Sequence, residues 1–218
     1  MKTKINYTML IFTSFICLSP IIMSLIVYND LPDRVAVHWD LEGNVNRYAS
    51  KAVAAFGLPL FLTAINIFVF VALCYDPKHG KHPKAMQKIV EWIIPFVSIL
   101  AVPITLFMAI GVKVPVVPIV FTFVGILFIL LGNYLPKTRQ NYIVGIRLPW
   151  TLNDSENWNK TNRLAGYLIM ICGSLFIVSA FLPVGNALIP LIIGTIVLMA
   201  VVPVLYSFFL YKNKKKSV

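Results

Sequence analysis

The side chains in this sequence that could do chemistry are few, and their spacing limits the chemistry open to them. His38, Asp40 and Glu42 share one short segment, and imidazole and carboxylate are both zinc donors. That segment holds a single histidine, so no metal is expected there. Its neighbours have other uses: Trp39 suits the headgroup level of a membrane and Gly43 a turn with positive φ. His79 and His82 lie among Lys78, Lys81, Lys84 and two prolines, the pattern of a solvated turn. Glu91 has Lys88 one helical turn earlier, spaced for an i,i+3 ion pair. Cys17, Cys74 and Cys172 form neither a disulfide framework nor a metal knuckle and are expected as small buried apolar residues. No Ser/His/Asp set, paired carboxylates or clustered ligands can be assembled on one side, so neither an enzyme nor a cofactor is expected.

The residues around these points explain the scarcity. Hydrophobic residues make up 59% of the 218, charged residues 12%, and mean hydropathy is +0.83, too apolar for a soluble domain of this length. A membrane-spanning helix takes about 20 apolar residues, and six windows qualify: Tyr7 to Tyr28, Val53 to Tyr75, Ile89 to Val112, Val114 to Leu131, Leu164 to Val184 and Ala187 to Tyr211. The third and fourth are parted only by Lys113 and Pro115, the fifth and sixth at Pro183-Val-Gly-Asn186; both junctions read as tight helical hairpins. Prolines inside or beside the spans, Pro20, Pro59, Pro95, Pro103 and Pro203 among them, each remove a backbone donor and predict kinks. Gly166 and Gly173 are seven residues apart on one face of the fifth span, a spacing suited to close helix packing. The expected fold is an all-α membrane protein with six transmembrane helices, multi-pass in a cell membrane.

Charge then chooses the orientation, because Lys and Arg in short loops favour the cytoplasm. With the N-terminus inside, the inward segments carry 15 of the 19 basic residues and 4 acidic ones, and the outward loops 4 of each. All of the +11 net charge is then cytoplasmic. It is spread over several short segments flanking helices, which is topology control and not a nucleic-acid footprint. Lys2 and Lys4 precede a run too long for a signal peptide and without a small-x-small cleavage site, so an uncleaved first helix is expected.

Two loops interrupt the apolar runs. In the first, NDLPDRVAVHWDLEGNVNRYASK, Arg34 to Trp39 alternates like a short strand and Glu42-Gly43-Asn44 signals a turn. His38, Trp39, Asp40, Gly43 and Tyr48 make it the sizeable outward surface that an extracellular ligand meets. The second, GNYLPKTRQNYIVGIRLPWTLNDSENWNKTNRLAG, is a built segment. Asn133 and Asn141 offer amides to backbone, Pro136 stops the fourth helix and Gly145 allows a left-handed turn. Arg147 brings its donors near the Trp150 ring. Asn153 or Asp154 can cap a helix starting near Ser155, with Glu156 in its first turn, that runs through Trp158 and Thr161 into the fifth span.

This second segment resembles the hallmark of the SdpI family of bacterial membrane proteins, whose pattern is GN-x-LPK, then N-x-x-x-GIR-x-PWTL, then W-x-x-T-x-R. Asn133, Pro136, Lys137, Asn141, Gly145, Ile146, Arg147, Pro149, Trp150, Thr151, Trp158, Thr161 and Arg163 occupy it. The stretch VAVHWDLEGNVNRYASK is similar to the HW-x-x-x-G module that commonly precedes it. The resemblance divides the chain into 1–86, an N-terminal helical hairpin with its outward loop, and 87–218, a four-helix region with the cytoplasmic motif loop. It implies a membrane immunity protein that protects its cell from a secreted peptide toxin. It further implies recruitment of a cytosolic winged-helix repressor of the ArsR type to the membrane, with no direct nucleic-acid contact. The alternative suggested by kinked helices and Glu91 is a small-molecule or lipid transporter or flippase, although the spans hold almost no charge for ion coupling.

The charge asymmetry gives a direct test. Reporter fusions at Gly43 should score outside and fusions after Lys216 inside; the opposite result reverses the orientation of both loops.

Overall fold

The computed structural model describes residues 6–39, 45–74, 84–142, 144–182 and 187–216. Six of its helical stretches are long and apolar enough to cross a membrane: Tyr7–Asp30, Val53–Leu73, Met86–Ala109, Val116–Lys137, Ser155–Ala180 and Leu188–Lys215. They coincide with the six windows read from hydropathy. The fifth starts nine residues earlier than its window, because the helix capped by Asp154 runs unbroken into it.

The chain divides into two compact units, one of residues 1–75 and 88–116, the other of 76–87 and 117–218. In the first, helix α1 (Tyr7–Leu18) continues after Ser19 as α2 (Pro20–Val27). Strands β1 (Arg34–Trp39) and β2 (Val45–Ser50) follow as an antiparallel pair. Helix α3 (Leu58–Cys74) is entered through a π-helical turn, Val53–Gly57, and α4 (Lys84–Ala109) contains Pro95 and Pro103. The expected strand has its expected ends. The Glu42-Gly43-Asn44 turn, with Asp40, lies outside the described residues.

The prolines explain the irregular helices of this unit. Pro20 cannot donate to the carbonyl of Ile16; the Ser19 hydroxyl donates to it instead at 2.8 Å. Pro59 similarly frees the carbonyl of Ala55, which accepts from the Ser24 hydroxyl at 2.7 Å, and the π-helical turn just before Pro59 makes room for its ring. Ser98 donates to the Cys17 carbonyl at 2.7 Å. Asn66, 1% exposed, reaches Thr13 and Ser14 at 3.1 and 3.2 Å and ties α3 to α1. Such bonds hold helices together where burial in lipid gives little hydrophobic drive. The β-hairpin is anchored to the same unit: Leu31 and Val35 join a buried cluster with Ala54, Ala55, Leu62, Val102 and Leu106.

The second unit comprises α5 (Val116–Tyr134), a 3-10 turn Leu135–Lys137, α6 (Pro149–Asn153), α7 (Ser155–Ala180), α8 (Leu188–Ile196) and α9 (Val202–Lys216). A π-helical turn, Val197–Val201, joins the last two just before Pro203, the arrangement also seen at Pro59. Helices α5 and α7 run backbone against backbone at two levels. A Cβ placed on Gly125 would lie 2.6 Å from the Gly173 carbonyl, and one on Gly132 2.6 Å from the Gly166 carbonyl. Both pairs step by seven residues, so the seam expected from Gly166 and Gly173 exists, and Gly125 and Gly132 complete it.

Replacing Gly132 or Gly166 by Leu should therefore force α5 and α7 apart, at a cost of about 1–3 kcal/mol or more. Gly194→Ala, where an added Cβ meets nothing within 4 Å, should be neutral. Thermal denaturation of detergent-purified protein measures both; equal stability of all the variants would mean that the seam is not required.

Candidate functional site

The segment from Gly132 to Gly166 closes on itself through buried amides and hydroxyls. Pro136 ends α5 as expected, and its ring packs where Gly166 leaves room. Thr138 donates to the Leu135 carbonyl at 2.6 Å, while its own carbonyl accepts from the Trp158 indole at 2.8 Å. Asn141, fully buried, accepts from the Val144 amide at 2.7 Å and donates to the Arg139 carbonyl at 2.8 Å. Gly145 has φ +118°, and a Cβ there would meet Asn162 Oδ1 at 2.7 Å and the Trp158 ring at 2.9 Å. Only glycine fits this place on both counts. Asn162 Oδ1 then accepts from the Ile146 amide at 2.8 Å. Thr151 donates to the Ile146 carbonyl at 2.7 Å and accepts from the Leu148 amide at 2.8 Å, so the GIR-x-PWT run is held from inside by its own threonine. Gln140 completes the ring on the Thr151 carbonyl at 2.9 Å.

A second network joins this loop to the last helix. The Trp150 indole donates to the Ser207 hydroxyl at 2.8 Å, and that hydroxyl donates to Asn157 Oδ1 at 2.8 Å. Asn157 returns a bond to the Ser207 carbonyl at 3.0 Å, and Thr161 adds another to Asn157 at 2.9 Å. Asp154 caps α7, accepting from the amides of Glu156 and Asn157 at 3.0 and 3.3 Å, and also receives Lys214 of α9 at 2.8 Å. Lys214 first, and the two amides, hold the Asp154 carboxyl below the usual carboxylate range against a smaller opposing effect of burial. Beside this pair is a cleft of about 410 Å³ lined by Pro149, Trp150, Asn153, Asp154, Tyr211, Lys214 and Lys215.

The comparisons with known proteins fall on this architecture. A profile of the SdpI/YfhL protein family matches residues 137–207, from the 3-10 turn after α5 to the serine that closes the second network. The chain carries an SdpI-family segment there. A profile described as a domain of unknown function (DUF1648) matches residues 15–63, which include the β-hairpin. Immunity protein SdpI of Bacillus subtilis (strain 168) is 28% identical over 203 residues, covering 93% of this chain and 95% of that protein. No solved structure matches. These likenesses and the six apolar helices make this a multi-pass bacterial membrane protein.

Within this SdpI-family motif, sequence and structure agree on the Asp154 cap, the Gly145 turn and the bonds of Asn141, and differ elsewhere. Arg147 does not stack on Trp150. It is exposed and donates to the Tyr142 carbonyl at 2.6 Å, while Trp150 stacks on Tyr211 at 5.7 Å and meets Phe208 edge-on. The indole belongs to α9 because Ser207 offers its N–H a buried acceptor. Asn133 is exposed, its side chain without a hydrogen bond among the described residues; Lys137 lies 4.7 Å over the Tyr134 ring; and Arg163 is on the exposed side of α7 beside Tyr167. Pro149 opens α6, where no amide is needed. Asn157, Asn162 and Ser207 escaped sequence reasoning, although each is a polar residue at a fully or almost fully buried position. The available signal was polarity in an apolar run, Ser207 amid VPVLYSFFLY.

In the hairpin, register shifts on both sides of His38 re-aim its side chain, which is exposed and meets Asn46 Oδ1 at 2.6 Å. Tyr48 is 60% exposed. Trp39 is half-buried, and its indole nitrogen has no hydrogen-bond partner among the described residues. Asp40 and Gly43 lie outside the described residues, and no group of three or more metal-binding side chains occurs among the described ones.

Asn162→Leu strands the Ile146 amide and should cost about 1–3 kcal/mol, seen as a lower midpoint of thermal unfolding and faster proteolysis within 139–152; unchanged values would remove Asn162 from the supporting set. The Asp154 carboxyl is depressed in the folded state, so its contribution is complete above the ordinary carboxylate range, about 3.9, and is lost as pH falls through the lower folded value. Thermal stability should thus be indifferent to this pair from pH 8 to 5, and the acid-side loss should shrink in Asp154→Asn.

Proposed function

We propose that this protein is a membrane immunity protein that protects its cell from a secreted peptide toxin. The observation that carries the reading is the alignment with Immunity protein SdpI over nearly the whole of both chains. The motif loop supports it, because buried amides and a glycine-only turn hold that loop in one shape, as a surface that recognises a partner requires. In the proposed topology both termini and the motif loop are cytoplasmic and the β-hairpin faces outward. The contact of Lys214 with Asp154 agrees with the part of this that puts the last helix's end and the motif loop on one side.

Each face then has its own task. The hairpin presents His38, Trp39 and Tyr48 to an apolar peptide arriving along the bilayer surface. The inward face, with Arg139, Arg147 and the tail lysines, offers positive charge to an acidic patch on a cytosolic winged-helix repressor, an attraction that salt weakens over about 8 Å at physiological ionic strength. The reading invokes no enzymatic step.

Deleting the gene should sensitise the producing bacterium to the toxin, and the wild-type copy should restore resistance. Trp39→Ala should lower resistance while leaving toxin-independent repressor recruitment intact; neutralising Lys212, Lys214, Lys215 and Lys216 together should do the reverse. Full resistance in Trp39→Ala cells would exclude the hairpin as the toxin-facing element. Normal recruitment by the tail variant would move docking to the motif loop.

A further inference from the structure

The cleft between α6 and α9 has an aromatic wall for which the immunity reading gives no use. Its apolar wall is the Trp150 and Tyr211 pair, stacked at 5.7 Å between centroids and 24° between planes. Its volume of about 410 Å³ falls in the usual range of small-ligand sites, about 300–1,000 Å³. The apolar run of α9 ends at Tyr211 and gives way to KNKKK, so the cleft opens where the sixth span leaves the hydrocarbon. Tryptophan, tyrosine and lysine collect at that depth because each has an apolar body and a polar tip.

The charges select among ligands. Lys214 is committed to Asp154 at 2.8 Å and approaches Glu156 at 3.8 Å, while Glu156 is held by Lys160 at 2.7 Å. Lys215, on the rim, forms no ion pair among the described residues. The cleft therefore offers one uncommitted cation beside a carboxylate already neutralised by Lys214. The Asp154 side chain keeps 23% of its surface exposed, and with the exposed Asn153 amide it provides acceptors for hydroxyl groups. A cation for a phosphodiester, acceptors for hydroxyls and an aromatic wall, all at headgroup depth, fit one class of molecule. We infer that this cleft binds the headgroup of an anionic phosphoglycerol lipid, its phosphate on Lys215, its glycerol hydroxyls on Asp154 and Asn153, and its glycerol backbone along Trp150 and Tyr211. A choline headgroup would set its own cation beside two lysines and has no hydroxyl to donate. The inference holds for either orientation of the chain and does not depend on a toxin.

The test is native mass spectrometry of the full-length, delipidated protein in detergent, titrated with phosphatidylglycerol, phosphatidylethanolamine or phosphatidylcholine. Phosphatidylglycerol should give a saturable one-to-one adduct stronger than the other two. Lys215→Gln should weaken it about fivefold, the equivalent of one lysine near a membrane surface, and Lys212→Gln, outside the cleft, should leave it unchanged. Tyr211→Leu, which spares the Trp150 to Ser207 bond, should also weaken it. Equal losses from Lys215→Gln and Lys212→Gln would mean diffuse attraction to a basic tail and overturn the site. Preference for phosphatidylethanolamine would overturn the headgroup assignment, and displacement of the lipid by equimolar glycerol 3-phosphate would overturn a lipid as the occupant.

Discussion

A carbonyl without a donor has no water to turn to inside a bilayer, and the described structure is organised around that constraint. The prolines create the problem by removing helical donors at chosen points. Hydroxyl side chains solve it: Ser19 serves Ile16 and Ser24 serves Ala55. Because Ser24 lies in α2 and Ala55 precedes α3, satisfying the backbone also fixes one helix against another. The π-helical turns before Pro59 and Pro203 are the geometric side of the same solution. Kinks here are positions of attachment.

The second unit meets the constraint with amides. Asn141, Asn157 and Asn162 each have a donor and an acceptor on one short side chain and can bridge two backbone positions at once, as Asn141 does between Arg139 and Val144. A loop built this way keeps its shape without a large apolar core. That leaves the exposed residues Arg139, Arg147 and Lys137 free of structural duty beyond local contacts.

Local rules in the sequence foretold local features of the structure. Hydropathy gave six spans, alternation gave β1, an aspartate before a polar turn gave the α7 cap, and an isolated glycine among bulky neighbours gave the positive φ at Gly145. What escaped was pairing across distance. Nothing in the neighbourhood of Trp150 distinguishes Arg147, three residues away, from Ser207, fifty-seven residues away, as its partner; burial decides, because an indole N–H enclosed by helices needs an acceptor that is enclosed with it. Gly166 and Gly173 announced a close approach, but their partners Gly125 and Gly132 emerge only when two antiparallel helices are laid together. The motif loop was legible in the sequence, whereas its supports, Asn157 and Asn162, were legible only as polar residues awaiting a reason.

The bond between Asn157 and Ser207 spans fifty residues of chain, and that interval has a consequence for biosynthesis. While the polypeptide is being made, Asn157 and the Trp150 indole enter the membrane interface before their acceptor exists. Between those two moments the nascent protein carries unsatisfied amide and indole groups at the edge of the hydrocarbon, the feature by which an unfinished membrane protein differs from a finished one. α9 brings the partners of both groups, the Ser207 hydroxyl and carbonyl. The last helix thus completes the hydrogen bonding of a loop made some fifty residues before it.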